Sequence, residues 1–336
     1  MEDVAGDLRR IALIVLVLCL PSYSVAQEID VRRLEDHVQR LCDDGFRGRP
    51  AGEVGERLAG DYIMSEFKRY GLRGFPTDSA YDETFLFDKR TPTRYLDAGE
   101  EFKSRNILGF IPGIDTTVRD QLILVVAHYD AMGHGDWTHQ LLRGQRDLFV
   151  GADDNASGVA GLLELARYFS SRRDPLRRGI LFIALGAGEI HQAGAWAVLS
   201  DTMLSGKIIQ SVIELNSIGR YRDTLFVGGM TTSPSFKHLA AELQGAAHGD
   251  VLAIPFSEHH AGQRFAKHRI PTLTLSTGAS QHFKIDDIPK GPDLENLHGV
   301  VRAAAEIVIK LSLEPELIKF SMPVDEFPSS GQPLRR

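Results

Sequence analysis

The sequence predicts an α/β protein: a three-layer sandwich around a mostly parallel, mixed central sheet. Three observations carry that expectation. Amphipathic helices come first and are followed by strands alternating with helices, the order that builds a largely parallel sheet. The central strand candidates, residues 122–127 and 180–185, are continuous apolar runs, as strands covered on both faces are. Polar residues follow those runs: His128 and Asp130, Glu189, Asn216 and, after a short turn, His282. In an open α/β sheet the carboxyl ends of the strands share one rim, where ligands bind.

Along the chain, Val31, Leu34, Val38 and Leu41 recur at helical spacing. Residues 45–55 form a Gly/Arg/Pro loop, GFRGRPAGEVG. A second helix over 56–70 aligns Leu58, Tyr62, Ile63, Phe67 and Tyr70, with Gly71 at its end. Residues 81–87 and 105–111 read as strands, and Pro112-Gly113 turns the chain. The buried strand 122–127 follows, then a polar loop, 133–147, containing His134, Asp136, Trp137 and His139. Helix 156–169 buries Val159, Leu162, Leu163, Ala166 and Phe169. Strand 180–185 runs into Gly186-Ala187-Gly188-Glu189, and a short helix covers 193–199. Strands over 212–215, 225–227 and 271–275, a helix over 236–243 and a long helix over 293–313 complete the pattern. No internal repeat and no composition shift marks a domain boundary.

Composition bounds the function. With 336 residues, 43% of them hydrophobic, the chain can build one large core. A net charge of −7 leaves no basic footprint, which excludes nucleic acid as the expected partner. Arg9-Arg10, the apolar run 11–20 and the small residues Ser24-Val25-Ala26 read as a secretory signal peptide over 1–26. The run is about half the length a bilayer span needs, so no stable membrane insertion is expected after cleavage. The expected product is exported, periplasmic or extracellular, with one domain over 27–315 and a tail over 316–336. Only Cys42 remains after cleavage, so no internal disulfide is expected.

The chemistry concentrates in two stretches, LILVVAHYD at 122–130 and GADDNASG at 151–158. A His and carboxylates delivered to a sheet rim suit a zinc site. Together with the GRPAG loop, SRNILGFIPG, ALGAGE, ELNSIG, SEHHAGQRFAKHRIP and HFKIDD, in that order, these stretches resemble the zinc aminopeptidases of the MH clan, which also include glutaminyl cyclases. The resemblance covers roughly residues 31–313 and implies the zinc exopeptidase fold and a peptide substrate.

The resemblance implies a metal centre in which Asp153 bridges two zinc ions. His128 would bind one ion, and Glu189 and His282 the other. Asp130 would serve catalysis by fixing the ring of His128, and Asp154 would follow a strained peptide bond that aims Asp153. Two departures alter this picture. The family's Glu-Glu pair, whose first member takes a proton from the attacking water, is here Gly188-Glu189. The family's Asp ligand beside the His128 ion is here Asn216, a weaker neutral donor. Two divalent ions are balanced by three carboxylates and a bridging hydroxide; with Asn216 one negative charge is lost. A single ion held by Asp153, Glu189 and His282 is balanced and leaves room for water. One zinc is therefore expected, with a second, at His128 and Asn216, weak or absent.

The expected activity is removal of N-terminal residues from peptides by metal-activated water, impaired by the missing base. His191, Glu258 and His259 are the residues that would replace it, and Gly188→Glu is the substitution that would restore it. The alternatives are a non-catalytic binding protein on this scaffold, as in the clan's transferrin-receptor-like members, and a single-zinc glutaminyl cyclase-like enzyme.

Overall fold

In the computed structural model, residues 28–88, 101–133, 148–220, 224–239, 243, 249–256, 260–278 and 293–322 are described. Residues 1–27, where the signal peptide is expected, residues 134–147, Glu258, His259, His282 and residues 323–336 lie outside them. Two helices come first, α1 (Val31–Leu41) and α2 (Val54–Arg69), followed by strands β1 (Asp82–Asp88), β2 (Glu101–Ile111) and β3 (Gln121–His128). Helix α3 (Gly158–Ser170), β4 (Gly179–Leu185), α4 (Ala193–Ser200) and β5 (Ile208–Leu215) continue the alternation. Strands β6 (Thr224–Gly228) and β7 (Asp250–Ile254), helix α5 (Ala261–Lys267), β8 (Thr272–Ser276) and helix α6 (Leu294–Leu313) complete it.

The strands form one sheet in the order β1-β2-β4-β3-β5-β8-β6-β7. Pairings β4–β3, β3–β5, β5–β8 and β6–β7 are parallel; β1–β2, β2–β4 and β8–β6 are antiparallel. The sheet is thus mixed with a parallel centre, as expected.

Strand periodicity explains the two helix layers. In β3, Ile123, Val125 and Ala127 pack with one core cluster, while Leu122, Leu124 and Val126 pack with another. The first cluster is closed by α1, α2, α3 and α6 through Leu34, Ile63, Phe67, Leu163 and Val301. The second is closed by α4 and α5 through Ala195, Val198 and Phe265. Because both faces are covered, every residue of β4 is buried.

The sequence expectation missed β7 and α5. Edge strand β7 leaves Leu252 52% exposed, so half-burial imposes no clear alternation on its five residues. Helix α5 has only seven residues and is anchored by a long-range contact: the buried Glu214 carboxylate on β5 accepts from the N–H groups of Ala261 (2.8 Å) and Gly262 (2.9 Å). Of the helix expected over 236–243, residues 236–238 belong to a 3-10 turn, Pro234–His238, while Leu239 and Leu243 are α-helical. Residues 314–322 pack against the domain: Gln210 Nε2 donates to Glu316 O (3.2 Å), and Met322 joins Phe256 and Ala266.

Between α1 and α2, the His37 ring is buried and hydrogen-bonded to the hydroxyls of Tyr62 (2.6 Å) and Tyr70 (3.1 Å). Burial pulls this imidazole down to about 4, with Glu66 opposing. The folded value lies below the unfolded one, so the stabilisation is full above the ordinary histidine range and is lost as pH falls through it. Thermal melts from pH 7 to 4.5 should show the native chain losing about 2–3 kcal/mol more than His37→Gln, by the conversion of about 1.36 kcal/mol per unit. Parallel pH slopes for the two proteins would contradict this.

Candidate metal centre

The parallel register brings the strand ends to one level. His128 is the last residue of β3 and pairs with Leu185, the last of β4; Val126 pairs with Glu214, so Asn216 reaches the same rim. Glu189 follows β4 after the turn Gly186-Ala187-Gly188. The segment Ala152–Ser157 forms a wide π turn at the start of α3, entered through Gly151 at φ 59°.

Among the described residues, His128, Asp154 and Glu189 form the cluster able to hold a metal ion, with one ligand atom from each lying within 4.8 Å of the others. His128 Nε2 lies 3.1 Å from Asp154 Oδ1. The two carboxylates and one imidazole are the donor set zinc accepts, and the spacing fits a single ion. Burial pulls the His128 ring down, but hydrogen bonds and charge from Asp130 and Asp154 outweigh it and hold the imidazolium form well above the usual range.

The carboxylate in the cluster is Asp154, where the sequence reading placed Asp153. The difference comes from the turn. Asp154 (φ −108°, ψ 88°) and Asn155 (φ −139°, ψ 43°) leave helical geometry, so the adjacent carboxylates diverge. Asp154 faces His128. Asp153 turns toward the loop after β5, accepting from Gly219 N–H (2.8 Å) and Arg220 Nε (2.5 Å). The cis peptide bond is Asp154–Asn155, one residue beyond the bond expected to be unusual.

Asn155 is fully buried and fastens the turn. Its Nδ2 donates to His128 O (3.3 Å) and Leu215 O (3.0 Å); its Oδ1 accepts from Gly158 N–H (3.1 Å) and Ser217 N–H (3.0 Å). Arg49, from the GRPAG loop, is equally buried. Its guanidinium donates to the carbonyls of Tyr129 (2.8 Å), Val150 (2.7 Å), Gly151 (2.9 Å) and Leu41. One side chain thus spans the segment after His128 and the segment before Asp154.

Two further carboxylates hold the Glu189 turn. Glu56, on α2, accepts from Ala187 N–H (2.9 Å), Ser104 Oγ (2.7 Å) and Gly52 N–H (2.7 Å). Asp130 accepts from Gly188 N–H (2.7 Å) and Glu189 N–H (3.0 Å). Burial, followed by the charge of Asp130, pushes Glu56 up to about 7. Asp130 also lies against the His128 ring, with its backbone oxygen 3.2 Å and its Oδ1 3.5 Å from Nδ1. It thereby fixes both a histidine and the backbone of a glutamate in the cluster.

Asn216 is buried. Its Oδ1 accepts from Ser217 Oγ (3.1 Å), and its Nδ2 has no partner among the described residues. His282 lies outside the described residues; the chain before it reaches Gly278, beside Ser217, Asp153 and Arg220. His191 follows the Glu189 turn at φ 53°.

A family model for Peptidase family M28 matches residues 106–308, more than half of the chain. The chain belongs to peptidase family M28. The human BOS complex subunit NCLN is 30% identical over 217 residues, covering 56% of this M28 chain and 37% of that protein. The match therefore spans just over a third of that relative's length. A Zn-dependent exopeptidase from Parabacteroides distasonis superposes with a TM-score of 0.65 at 17% identity, covering 85% of this chain and 99% of that one. Glutaminyl cyclase from Porphyromonas gingivalis superposes with a TM-score of 0.66 at 18% identity, covering 85% and 99%. At these identities the superpositions establish the shared fold.

Within this M28 site, Gly188 is closed by contact, not by a left-handed backbone. A Cβ added there would overlap His128 Cβ and lie 2.7 Å from its Cγ and 3.1 Å from Asp130 Oδ1. That corrects the expectation for Gly188→Glu: the carboxylate would displace the cluster's own histidine. Gly188→Ala should destabilise by about 1–3 kcal/mol, the usual cost of overpacking, and should weaken zinc retention. Gly188→Glu should gain no hydrolytic activity. Thermal melting with zinc analysis of both variants checks this; an active, stable Gly188→Glu protein would contradict it.

Proposed function

We propose that this chain is an exported, single-zinc protein of the aminopeptidase type, which receives peptides at the sheet rim and hydrolyses their N-terminal residues slowly. The observation that carries the reading is the cluster of His128, Asp154 and Glu189, with family membership behind it. Zinc bound by these residues supplies Lewis acidity toward a peptide carbonyl. Asp130 holds the Glu189 backbone and the His128 ring. Position 188, next to Glu189, carries no proton acceptor, and loss of a general base slows such a reaction by about 10²–10⁴-fold. Asn216 offers a neutral oxygen already accepting from Ser217, which supports one firmly held ion and a weak second position.

A second reading, a peptide- or protein-binding subunit without turnover, is favoured by the closed contact at Gly188 and by a relative described as a complex subunit. Turnover separates the two. The zinc-loaded chain should release N-terminal residues from aminoacyl arylamides at a low, zinc-dependent rate. A folded, zinc-loaded chain that binds peptides with no turnover would establish the binding role, and cyclisation of N-terminal glutaminyl peptides would place it with the cyclases instead.

Elemental analysis after dialysis should find one zinc per chain in the native protein and in Asp153→Asn, and little in Asp154→Asn or His128→Ala. Zinc loss in Asp153→Asn with retention in Asp154→Asn would reverse the assignment of the two aspartates. Two ions surviving prolonged dialysis would overturn the single-ion reading.

Export is supported by Arg9-Arg10, the apolar run 11–20 and the small residues before Gln27. Among the described residues no helix is long and apolar enough to cross a membrane. N-terminal sequencing of the chain from its native host should begin at Gln27; an intact Met1 would overturn cleavage.

A further inference from the structure

The loop after β5 carries a guanidinium that, among the described residues, the fold engages only through its Nε. Arg220 is fixed at three points: its N–H donates to Thr277 Oγ1 (3.2 Å), its carbonyl accepts from Asn296 Nδ2, and its Nε binds the buried carboxylate of Asp153. Asp153 also receives the Gly219 N–H, and Gly219 O accepts from Asp293 N–H (2.9 Å) at the start of α6. The Arg220 side chain remains 24% accessible, and its two terminal nitrogens make no hydrogen bond among the described residues. A guanidinium oriented by its Nε presents those donors in a fixed fork, which matches a carboxylate.

Gly278 lies beside it. Among the described residues, a Cβ added at Gly278 would meet ordinary contacts, Ser217 Cβ at 3.6 Å, Asp153 Oδ2 at 3.7 Å and Arg220 Cδ at 3.9 Å. Most glycines within the core elements would overlap a neighbour on gaining a side chain; Gly278 would not. The position shares a turn with the metal cluster, because Asp153, which holds Arg220, precedes Asp154, which faces His128.

We propose that Arg220, Ser217 and Gly278 form a carboxylate-binding subsite, so that the peptides taken at this rim carry a carboxylate. The proposal rests on the reading of the rim as a peptide site. The carboxylate has two sources, an acidic side chain or a free C-terminus, and both offer the same pair of oxygens to the Arg220 fork.

Calorimetry on the full chain, zinc-loaded and zinc-stripped, tests it with three probes: alanyl-glutamate amide, alanyl-glutamine and alanyl-glutamine amide. These carry a side-chain carboxylate, a terminal carboxylate and neither. At least one carboxylate probe should bind tenfold or more tightly than the neutral probe, identifying the source, and added salt should reduce the difference. Arg220→Gln should abolish the preference without weakening the neutral probe. Arg220 also holds Asp153, so Gly278→Val provides a variant that leaves the guanidinium and its ion pair in place; it should lose the preference by filling the space. Equal affinity for all three probes, or a preference that survives either folded variant, would overturn the subsite. Carboxylate preference in a chain that binds no zinc would defeat the metal reading and leave the subsite standing. Zinc binding without carboxylate preference would do the reverse.

Discussion

The Arg49 guanidinium is the contact on which the rim depends. Strands deliver His128 to a defined height, but Asp154 arrives from a separate segment after a long excursion. Arg49 closes that gap by gathering the carbonyls of Tyr129, Val150 and Gly151 around one planar group, with Leu41 tying it back to α1. Buried carbonyls left without donors would each be costly, so a single side chain that satisfies four has no simple substitute. Lysine has the charge but not the fork. The Gly/Arg/Pro loop thus acts as a clamp between the first helix and the two segments of the cluster.

Around this clamp the site is built from backbone N–H groups held by carboxylates. Glu56 and Asp130 bind three consecutive N–H groups, at Ala187, Gly188 and Glu189, and Asp153 binds that of Gly219. The positive φ of Ala187, His191, Gln192 and Ser217 shows how far these turns depart from relaxed geometry. Non-glycine residues stay in that region when the surrounding contacts over-determine it. Rigidity here comes from polar contacts, whereas the sheet beneath is held by apolar packing on both faces.

The sheet was legible because burial writes a period into the sequence: β3 and β4 are apolar throughout, and the polar residue that ends each run marks the rim. His128, Glu189 and Asn216 were read as rim residues in that way. The choice between Asp153 and Asp154 was not legible, since two identical neighbours differ only by a turn whose φ and ψ leave the helix midway. Arg49, Glu56, Asn155 and Arg220 act through partners tens of residues away, and no local pattern announces such contacts. Asn155 was at least suggested by its place in GADDNASG, and Arg49 by its place in GRPAG. Edge strand β7 escaped notice because exposure on both faces removes the alternation that reveals a strand.

The contact at Gly188 has an evolutionary consequence. A glycine that merely lacked a side chain could be reversed by one change. Here the histidine has settled into the volume a side chain would need, so any larger residue at 188 meets His128 before it meets a substrate. A proton acceptor at this position requires the β3 end and the β4 turn to move together, so one substitution does not suffice.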